Sequence, residues 1–332
     1  MQRKKKILLV GGSLNQTQMM HKISWQFPDC DVFFTPFYTD GIMDFLVKQG
    51  ALDFTILGGQ FRQSTLEYLK SHQLEIDHKG LNNSYDLVFT CQDLIVPSNL
   101  KNKKVVLVQE GMTDPETLAY HLVKSLKLPR WIASTAATGL SGSYDLFCVA
   151  SEGYRELFIR KGVNPRKIRV TGIPNFDHAS ELVKNDFPYR NYVLVATSDR
   201  RETFNYENRR KFIHKCLSIA QGRQLIFKLH PNENHERAKR EIELYAPGAI
   251  VYTSGNIGHM IANCDVLVTR YSSVVYLGIA LGKEVHSDFD LKFLERLCPI
   301  QNGGTSAENI AAEARKLMNP SRSYHYSEVL AS

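Results

Sequence analysis

The chain has 332 residues with a formal net charge of +7, and it is 43% apolar and 23% charged. This balance is typical of a soluble globular protein, and the length suffices for about two domains. No apolar run approaches the roughly 20 residues needed to cross a bilayer, which excludes a membrane-spanning class. The charge favours an acidic partner (a nucleotide, an anionic sugar, a phospholipid surface or nucleic acid), or else it is an ordinary solvated basic surface. Because no RNA-recognition, KH, zinc-finger or helix-turn-helix signature is present, we expect no nucleic-acid partner.

The first residues and the cysteines both predict a cytoplasmic protein. Residues 1–13 are basic and then apolar, but the apolar stretch of about five residues is shorter than a signal peptide requires and ends in a Gly-Gly turn. We therefore predict a first β-strand there. The cysteines lie far apart, without CxxC spacing or a nearby histidine, which predicts buried free thiols and neither disulfides nor a zinc site. They are Cys30, Cys91, Cys148, Cys216, Cys264 and Cys298. We expect no cofactor.

Strand-like and helix-like stretches alternate along the chain, which predicts an α/β protein with parallel sheets covered by helices on both faces. The pattern pauses at a proline-containing stretch and then restarts, so we predict two Rossmann-like, doubly wound domains facing a central cleft. The predicted segments are domain 1–172, linker 173–190, domain 191–310, and a C-terminal helix and tail at 311–332. The predicted strands are 5–12, 30–37, 53–59, 85–92, 103–111, 144–151, 167–174, 191–199, 224–231, 249–255, 264–273 and 283–290.

Ligands of open α/β sheets bind beyond the carboxyl ends of the strands, so the residues that follow each strand are the candidates for a site. Gly11, Gly12 and Ser13 follow the first strand in neither a P-loop nor a dinucleotide spacing; they form either a tight turn or a substrate-contacting loop. Glu110 follows another strand and precedes a glycine. It is either a general base in the cleft or a cap for the next helix.

Hydroxyl and cationic side chains follow the strands of the second half. Thr197, Ser198 and Asp199 precede Arg200, and this group suits an anionic ligand or is ordinary turn chemistry. Ser254, Gly255 and Asn256 end another predicted strand, and we expect their backbone groups to meet a nucleotide base.

His230 and Pro231 end a predicted strand, with Glu233 two residues later, and we expect Pro231 and Glu233 to contact a nucleotide-sugar donor. The imidazole could hydrogen-bond a phosphate or protonate a leaving group, or it is a structural loop histidine. Ser272 and Ser273 precede a helix, where they form either an anion site or an N-cap. We expect His230 and the serines on neighbouring strands, as a clamp for a nucleotide phosphate.

The order Glu110-Gly111, His230-Pro231 and Ser272-Ser273 resembles the two-domain GT-B glycosyltransferases that use cytidine-activated donors. These are the bacterial sialyltransferases and polysialyltransferases and the capsule Kdo transferases; CDP-glycerol transferases are similar around the His-Pro and the serines. The resemblance implies metal-independent transfer of a sugar, most simply from a CMP-sugar, to a hydroxyl of a glycan or lipid-linked acceptor in surface polysaccharide synthesis. Residues 1–172 would bind the acceptor and 191–310 the donor.

By this resemblance Glu110 is the base, His230 assists departure of the nucleotide phosphate, and the serines hold that phosphate. The sequence departs from the family pattern at Gln109, where those enzymes carry a first carboxylate.

A second resemblance supports an alternative function. Residues 198–208 look like the His-Arg-Arg-Glu-Asn segment of UDP-N-acetylglucosamine 2-epimerases, although Asp199 and Thr203 replace its His and Asn. Those enzymes also carry a Ser-Gly-Gly turn where this chain has Ser272 and Ser273. A nucleotide-sugar epimerase or hydrolase is therefore the alternative, and a non-catalytic binding subunit is a third.

Residues 122–135 combine Lys124, Lys127 and Arg130 with leucines and Trp131. Such a basic amphipathic stretch could rest on an anionic membrane at its inner face, or its apolar side could pack into the core. A DxD pattern at Asp288 and Asp290, which resembles a metal motif of another glycosyltransferase fold, is interpreted as coincidence because it ends the last predicted strand.

Overall fold

The computed structural model describes residues 3–50, 52, 55–198, 200–202 and 206–319. Their contacts form two compact units. One contains residues from Met1–Asp177 and Gly304–Ser332, and the other is His178–Gly303.

Each unit is built around one parallel sheet. The first sheet has six strands in the order β2-β1-β3-β4-β5-β6, and the second has five in the order β11-β10-β7-β8-β9. The strands in chain order are β1 Lys6–Gly11, β2 Asp31–Pro36, β3 Leu87–Thr90, β4 Val105–Val108, β5 Leu146–Val149, β6 Ile168–Val170, β7 Val193–Ala196, β8 Leu225–Lys228, β9 Ile250–Tyr252, β10 Val266–Thr269 and β11 Glu284–His286.

Helices connect the strands, as parallel pairing requires. In chain order they are α1 Leu14–Ser24, α2 Gly41–Lys48, α3 Gly59–Ser71, α4 Leu118–Leu126, α5 Glu152–Lys161, α6 Arg209–Ala220, α7 His235–Tyr245, α8 Ile257–Asn263, α9 Val275–Ala280, α10 Leu291–Leu297 and α11 Ser306–Met318. Strands β3, β4, β5, β7, β8 and β10 are buried along their whole length, because helices cover both faces of each sheet. The predicted α/β fold with two doubly wound sheets is confirmed.

The strand predicted at residues 53–59 is wrong over the part that the structure describes. Residues 55–58 form a turn, and helix α3 starts at Gly59. Strand β1 already has β2 and β3 as neighbours, and the outer edge of β2 pairs at Phe34 with Ile76. The short apolar run therefore has no open edge to join at β1 or at this point of β2. Residues 53 and 54 lie outside the described part.

The C-terminal helix α11 belongs to the first unit. Its first amide, at Ser306, donates to the Asp177 carboxylate at 2.9 Å, and Arg315 near its end pairs with Asp29 beyond α1. The boundary predicted between residues 310 and 311 falls inside this helix. The predicted linker, 173–190, contains a 3-10 turn at Ala179–Val183 that packs on α8 of the second unit.

All six cysteines are free thiols, and all but Cys298 are buried. Burial raises the pKa of Cys148 to about 12, so this thiol stays protonated at neutral pH. Among the helices that the structure describes, none is long and apolar enough to cross a membrane.

Candidate functional site

Glu110 lies at the carboxyl edge of the first sheet, two residues beyond β4. Its carboxylate accepts hydrogen bonds from the side chains of Ser13 (3.1 Å), Asn15 (3.4 Å) and Gln16 (2.5 Å). All three donors lie at the start of helix α1, and Ser13 also caps that helix by accepting the Gln16 amide at 3.2 Å. The loop after β1 and the loop after β4 are therefore joined through one half-buried carboxylate.

The glycines at the end of β1 allow this close approach. A Cβ on Gly12 would lie 2.2 Å from Gln16 Oε1, and one on Gly11 would lie 2.5 Å from Thr17 Oγ1. Both distances are far shorter than a carbon contact permits. The Gly-Gly pair therefore lets α1 start directly against the strand end and brings its polar side chains to Glu110.

Gln109 has a structural role that a carboxylate could not fill. Its side chain is buried, its Oε1 accepts the Ala150 amide at 2.9 Å, and its Nε2 donates to the Gly111 carbonyl at 2.7 Å. A carboxylate accepts hydrogen bonds but donates none when ionised. The departure from an acidic pair at this position is thus explained by the need for a donor that fixes the loop carrying Glu110.

In the second unit, Thr197, His230 and Glu233 are linked by hydrogen bonds at the ends of β7 and β8. The Thr197 hydroxyl oxygen accepts the His230 amide at 3.0 Å and its proton goes to Glu233 Oε2 at 2.5 Å. The Glu233 side chain is fully buried and pairs with Arg209, with Arg201 at 3.6 Å. Glu233 was predicted to contact a donor; its buried carboxylate instead braces Thr197, which positions His230.

The His230 ring is oriented by its own loop. Its Nδ1 accepts the backbone N–H of Asn232 at 3.2 Å, so the neutral ring carries its proton on Nε2. Pro231 follows immediately and restricts His230 to an extended backbone.

A chain of paired charges extends from Glu233 across the sheet edge, buried at Arg209 and Glu207 and partly exposed at Arg270 and Asp288. Arg209 contacts Glu207 at 2.7 Å, Glu207 contacts Arg270 at 3.4 Å, and Arg270 donates to Asp288 at 2.6 Å. Alternating signs are required because an unpaired buried charge costs several kcal/mol. Since Arg270 follows β10 directly, this chain fixes the loop that carries the two serines.

The serines occupy a different place from the one predicted. Strand β7 lies between β8 and β10, so His230 and Ser272-Ser273 are on the same sheet edge but not on neighbouring strands. Neither hydroxyl caps helix α9, which begins two residues later, and neither is hydrogen-bonded to any residue that the structure describes. Both serines are half-buried, and both hydroxyls are therefore available to an anion.

The loops beside β7 and β9 carry the remaining predicted residues. Ser198 is buried, and Arg200 lies over the Tyr271 ring at 4.3 Å from the guanidinium carbon to the ring centroid. The Asn256 side chain caps α8, with its Oδ1 accepting the Gly258 amide at 2.9 Å. Ser254 and Gly255 are exposed. Asp199 and Thr203 lie outside the described residues.

Sequence reasoning missed Lys228, the last residue of β8. Its ammonium is buried, donates to the carbonyls of Leu229 (3.0 Å) and Thr253 (3.4 Å), and has its pKa lowered by burial. It adds positive charge two residues from His230. The signal in the sequence was a lysine within an otherwise apolar strand. The buried charges of Glu207 and Arg209 were also missed, and their signal was the charged segment in which they lie.

The DxD pattern is explained without a metal, because Asp288 pairs with Arg270 and Asp290 caps helix α10 by accepting the Lys292 amide at 3.0 Å. Over the described ranges, no three His, Cys, Asp or Glu side chains converge as metal ligands would.

Comparison with known proteins identifies the fold. The chain is similar to S. aureus MnaA in its complex with UDP, with 13% identity, 97% of this chain and 90% of that chain covered, and a TM-score of 0.57. It is also similar to the UDP-GlcNAc 2-epimerase from Neisseria meningitidis bound to UDP-GlcNAc (13% identity, 94% and 100% covered, TM-score 0.56) and to a variant of the wall teichoic acid polymerase TagF (13% identity, 96% and 90% covered, TM-score 0.54).

No protein-family model matches the sequence, and no curated protein matches it. At these identities the likeness to solved structures establishes the fold, which is GT-B with two Rossmann-like units.

Proposed function

We propose that the protein is a metal-independent glycosyltransferase that moves a sugar from a nucleotide-activated donor, most simply a CMP-sugar, to a hydroxyl of a glycan or lipid-linked acceptor. The observation that carries the proposal is the edge of the second sheet. There the His230 ring, held in place by Thr197 and Glu233, shares the sheet edge with Ser272 and Ser273, whose hydroxyls have no hydrogen-bond partner among the described residues. Hydrogen-bond donors of this kind bind and stabilise a phosphate that gains charge as it leaves.

The chemistry divides between the two units. His230 Nε2–H donates to an oxygen of the nucleotide phosphate, and Ser272 and Ser273 donate to the same group. Glu110 takes the proton of the acceptor hydroxyl, whose oxygen then forms the new bond to the sugar as the phosphate departs. Ser13 and Gln16 orient the Glu110 carboxylate, and the oxygen lone pairs that they leave open accept the proton.

The geometry of the His230 loop favours hydrogen bonding over proton donation. An imidazolium would carry a proton on Nδ1, directed at the Asn232 N–H that now donates to this atom. A phosphate leaving group is already stable as an anion and does not need that proton. The arrangement is therefore suited to nucleotide-sugar chemistry.

The cytidine donor and surface polysaccharide synthesis rest on the resemblance of the three motifs. A cytoplasmic location rests on residues 1–13 and the cysteines, and peripheral contact with the inner face of a membrane rests on the basic amphipathic stretch 122–135. The alternative is a UDP-N-acetylglucosamine 2-epimerase-like enzyme. It is supported by the similarity to the N. meningitidis epimerase across 94% of this chain.

Product analysis tests the proposal. The protein is incubated with UDP-N-acetylglucosamine or with CMP-activated acidic sugars, with and without anionic surface glycans, and products are followed by NMR. We expect CMP release that the glycans accelerate and that Glu110→Gln slows by about 10²–10⁴. Epimerised or free sugar formed from UDP-N-acetylglucosamine without any acceptor would instead support the epimerase.

A further inference from the structure

Helix α4 exposes an apolar face. Its leucines Leu118, Leu122 and Leu126, spaced by four residues, are 83%, 53% and 63% exposed. A helix of a soluble protein normally turns polar side chains outward at such positions.

The opposite face of α4 anchors the helix to the first unit. Tyr120 and Val123 are buried against Ala133, Ala136 and Ala137 of the 3-10 segment Arg130–Ala137. The exposed leucines are therefore the outer face of a packed helix. The sequence left two alternatives for the apolar side of residues 122–135, the core and a membrane surface. Packing into the core is correct for Val123 and wrong for the exposed Leu122 and Leu126.

The residues after α4 extend this surface. Leu128, Trp131 and Ile132 are 40%, 50% and 43% exposed. We call the six side chains Leu118, Leu122, Leu126, Leu128, Trp131 and Ile132 the α4 face.

The charge of this segment has one sign. Residues 118–132 contain Lys124, Lys127 and Arg130 and no acidic residue. Lys124 donates to the Lys161 carbonyl at 3.0 Å, whereas Arg130 donates to the Asp93 carbonyl at 3.3 Å and also attracts the Asp93 carboxylate. Leucines and a tryptophan accompanied by the exposed Lys124 and Lys127 are complementary to a surface of anionic headgroups over acyl chains.

We infer that the α4 face is a membrane-docking surface for anionic phospholipid, with the leucines and Trp131 inserted at the level of the headgroups and the cations on the lipid phosphates. A segment of this length lies in the interface and does not span the bilayer. Binding through it does not depend on the donor chemistry proposed for the second unit.

Vesicle binding tests the inference with the intact protein. The chain contains two tryptophans, Trp25 and Trp131. In a Trp25→Phe variant, tryptophan fluorescence therefore comes from Trp131 alone. With vesicles of phosphatidylglycerol and phosphatidylcholine we expect a blue shift, quenching by brominated acyl chains, and release by salt. Pure phosphatidylcholine vesicles should bind much more weakly.

Substitutions in the α4 face test whether this surface is the part of the protein that binds the vesicles. Leu122→Ser and Leu126→Ser should each weaken partitioning by about tenfold, because each removes the apolar group that enters the bilayer. Leu81→Ser is the matched control, since Leu81 is 68% exposed elsewhere in the first unit, and it should bind as the wild type does. Nucleotide binding should be unchanged in all three variants.

Three results would overturn the inference. One is wild-type partitioning by the Leu122→Ser and Leu126→Ser variants, and another is equal binding to neutral and anionic vesicles. The third is a wild-type dimer that these variants convert to monomer while vesicle binding persists, because the face would then be an interface between copies of the chain.

Discussion

Thr197 holds the backbone of His230 through its side chain, with 3.0 Å between the hydroxyl oxygen and the His230 nitrogen. The hydroxyl proton goes to the buried Glu233 carboxylate. The two strand ends are thus joined by a single hydroxyl group that both donates and accepts. The position of the imidazole therefore depends on Thr197 and Glu233.

Thr197→Val removes this hydroxyl while keeping the shape of the side chain. We expect nucleotide affinity to fall by about tenfold, because the His230 amide loses its partner and the loop loses its fixed geometry. Calorimetric titration with CMP measures the effect. Thr197→Ser, which keeps the hydroxyl, should restore most of the affinity; equal losses in both variants would contradict a role for the hydrogen bond.

Glu233→Gln should lower both stability and nucleotide affinity. The buried Arg209 loses one of its two charged partners and keeps Glu207, and breaking a buried pair costs up to roughly 3–5 kcal/mol of unfolding free energy. Urea denaturation and CMP titration give the two values.

Glu241→Gln is the matched control for that experiment, since Glu241 pairs with Arg201 at 2.8 Å but is partly exposed. It should cost about 1 kcal/mol or less and leave CMP affinity unchanged. If the two variants reduced CMP affinity equally, the special position of Glu233 would be refuted.

Glu110→Gln keeps the size and the acceptor oxygen of the side chain but removes the base. The turnover number should fall by about 10²–10⁴ while CMP affinity stays at the wild-type value, because proton transfer alone is lost. Steady-state kinetics with donor and acceptor, combined with calorimetry, separate the two effects. Turnover that survives would show that another group takes the proton.

Gln109→Glu tests whether an acidic pair is functional here. We expect it to be destabilising by roughly 1–3 kcal/mol without any gain in turnover, because the side chain is buried and the donor to Gly111 is lost. A stable and faster enzyme would mean that the missing carboxylate is catalytic.

The pairing of Asp29 with Arg315 predicts a pH-dependent contribution to stability. The hydrogen bond from Arg315 lowers the pKa of Asp29 to about 2, below the value of about 3.9 in an unfolded chain. The stabilisation is therefore present above the unfolded value and is lost as the pH falls through about 2. Because both side chains are substantially exposed, we expect only about 0.5 kcal/mol.

Urea unfolding of the wild type and of Asp29→Asn between about pH 7 and 2 measures this contribution. The wild type should be more stable at pH 7, and the difference should vanish at the acid end. A difference that stays constant with pH would mean that the ion pair contributes nothing.

The alternation of apolar runs with helical patterns was enough to predict the two parallel sheets, because buried parallel strands are continuously apolar. It also placed Glu110 and His230 correctly at strand ends. Strand order is set by long-range pairing, so the position of β7 between β8 and β10 could not be read from chain order.

The burial of individual polar side chains could not be predicted from the sequence either. Glu233 looks like a loop carboxylate in the sequence, and only the fold brings Arg209, 24 positions earlier, to it. The exposure of Leu122 and Leu126 was undecided for the same reason, since an apolar helix face is identical in sequence whether it meets a core or solvent.

Calorimetry with CMP, CDP and UDP, without added metal, on the wild type and His230→Ala is the most direct test of the claim that His230 binds the phosphate of a cytidine-activated donor. We predict that a cytidine nucleotide binds more tightly than UDP and that the variant loses about tenfold or more in affinity. Preferred binding of UDP, no binding of any nucleotide, or unchanged affinity in His230→Ala would contradict that claim.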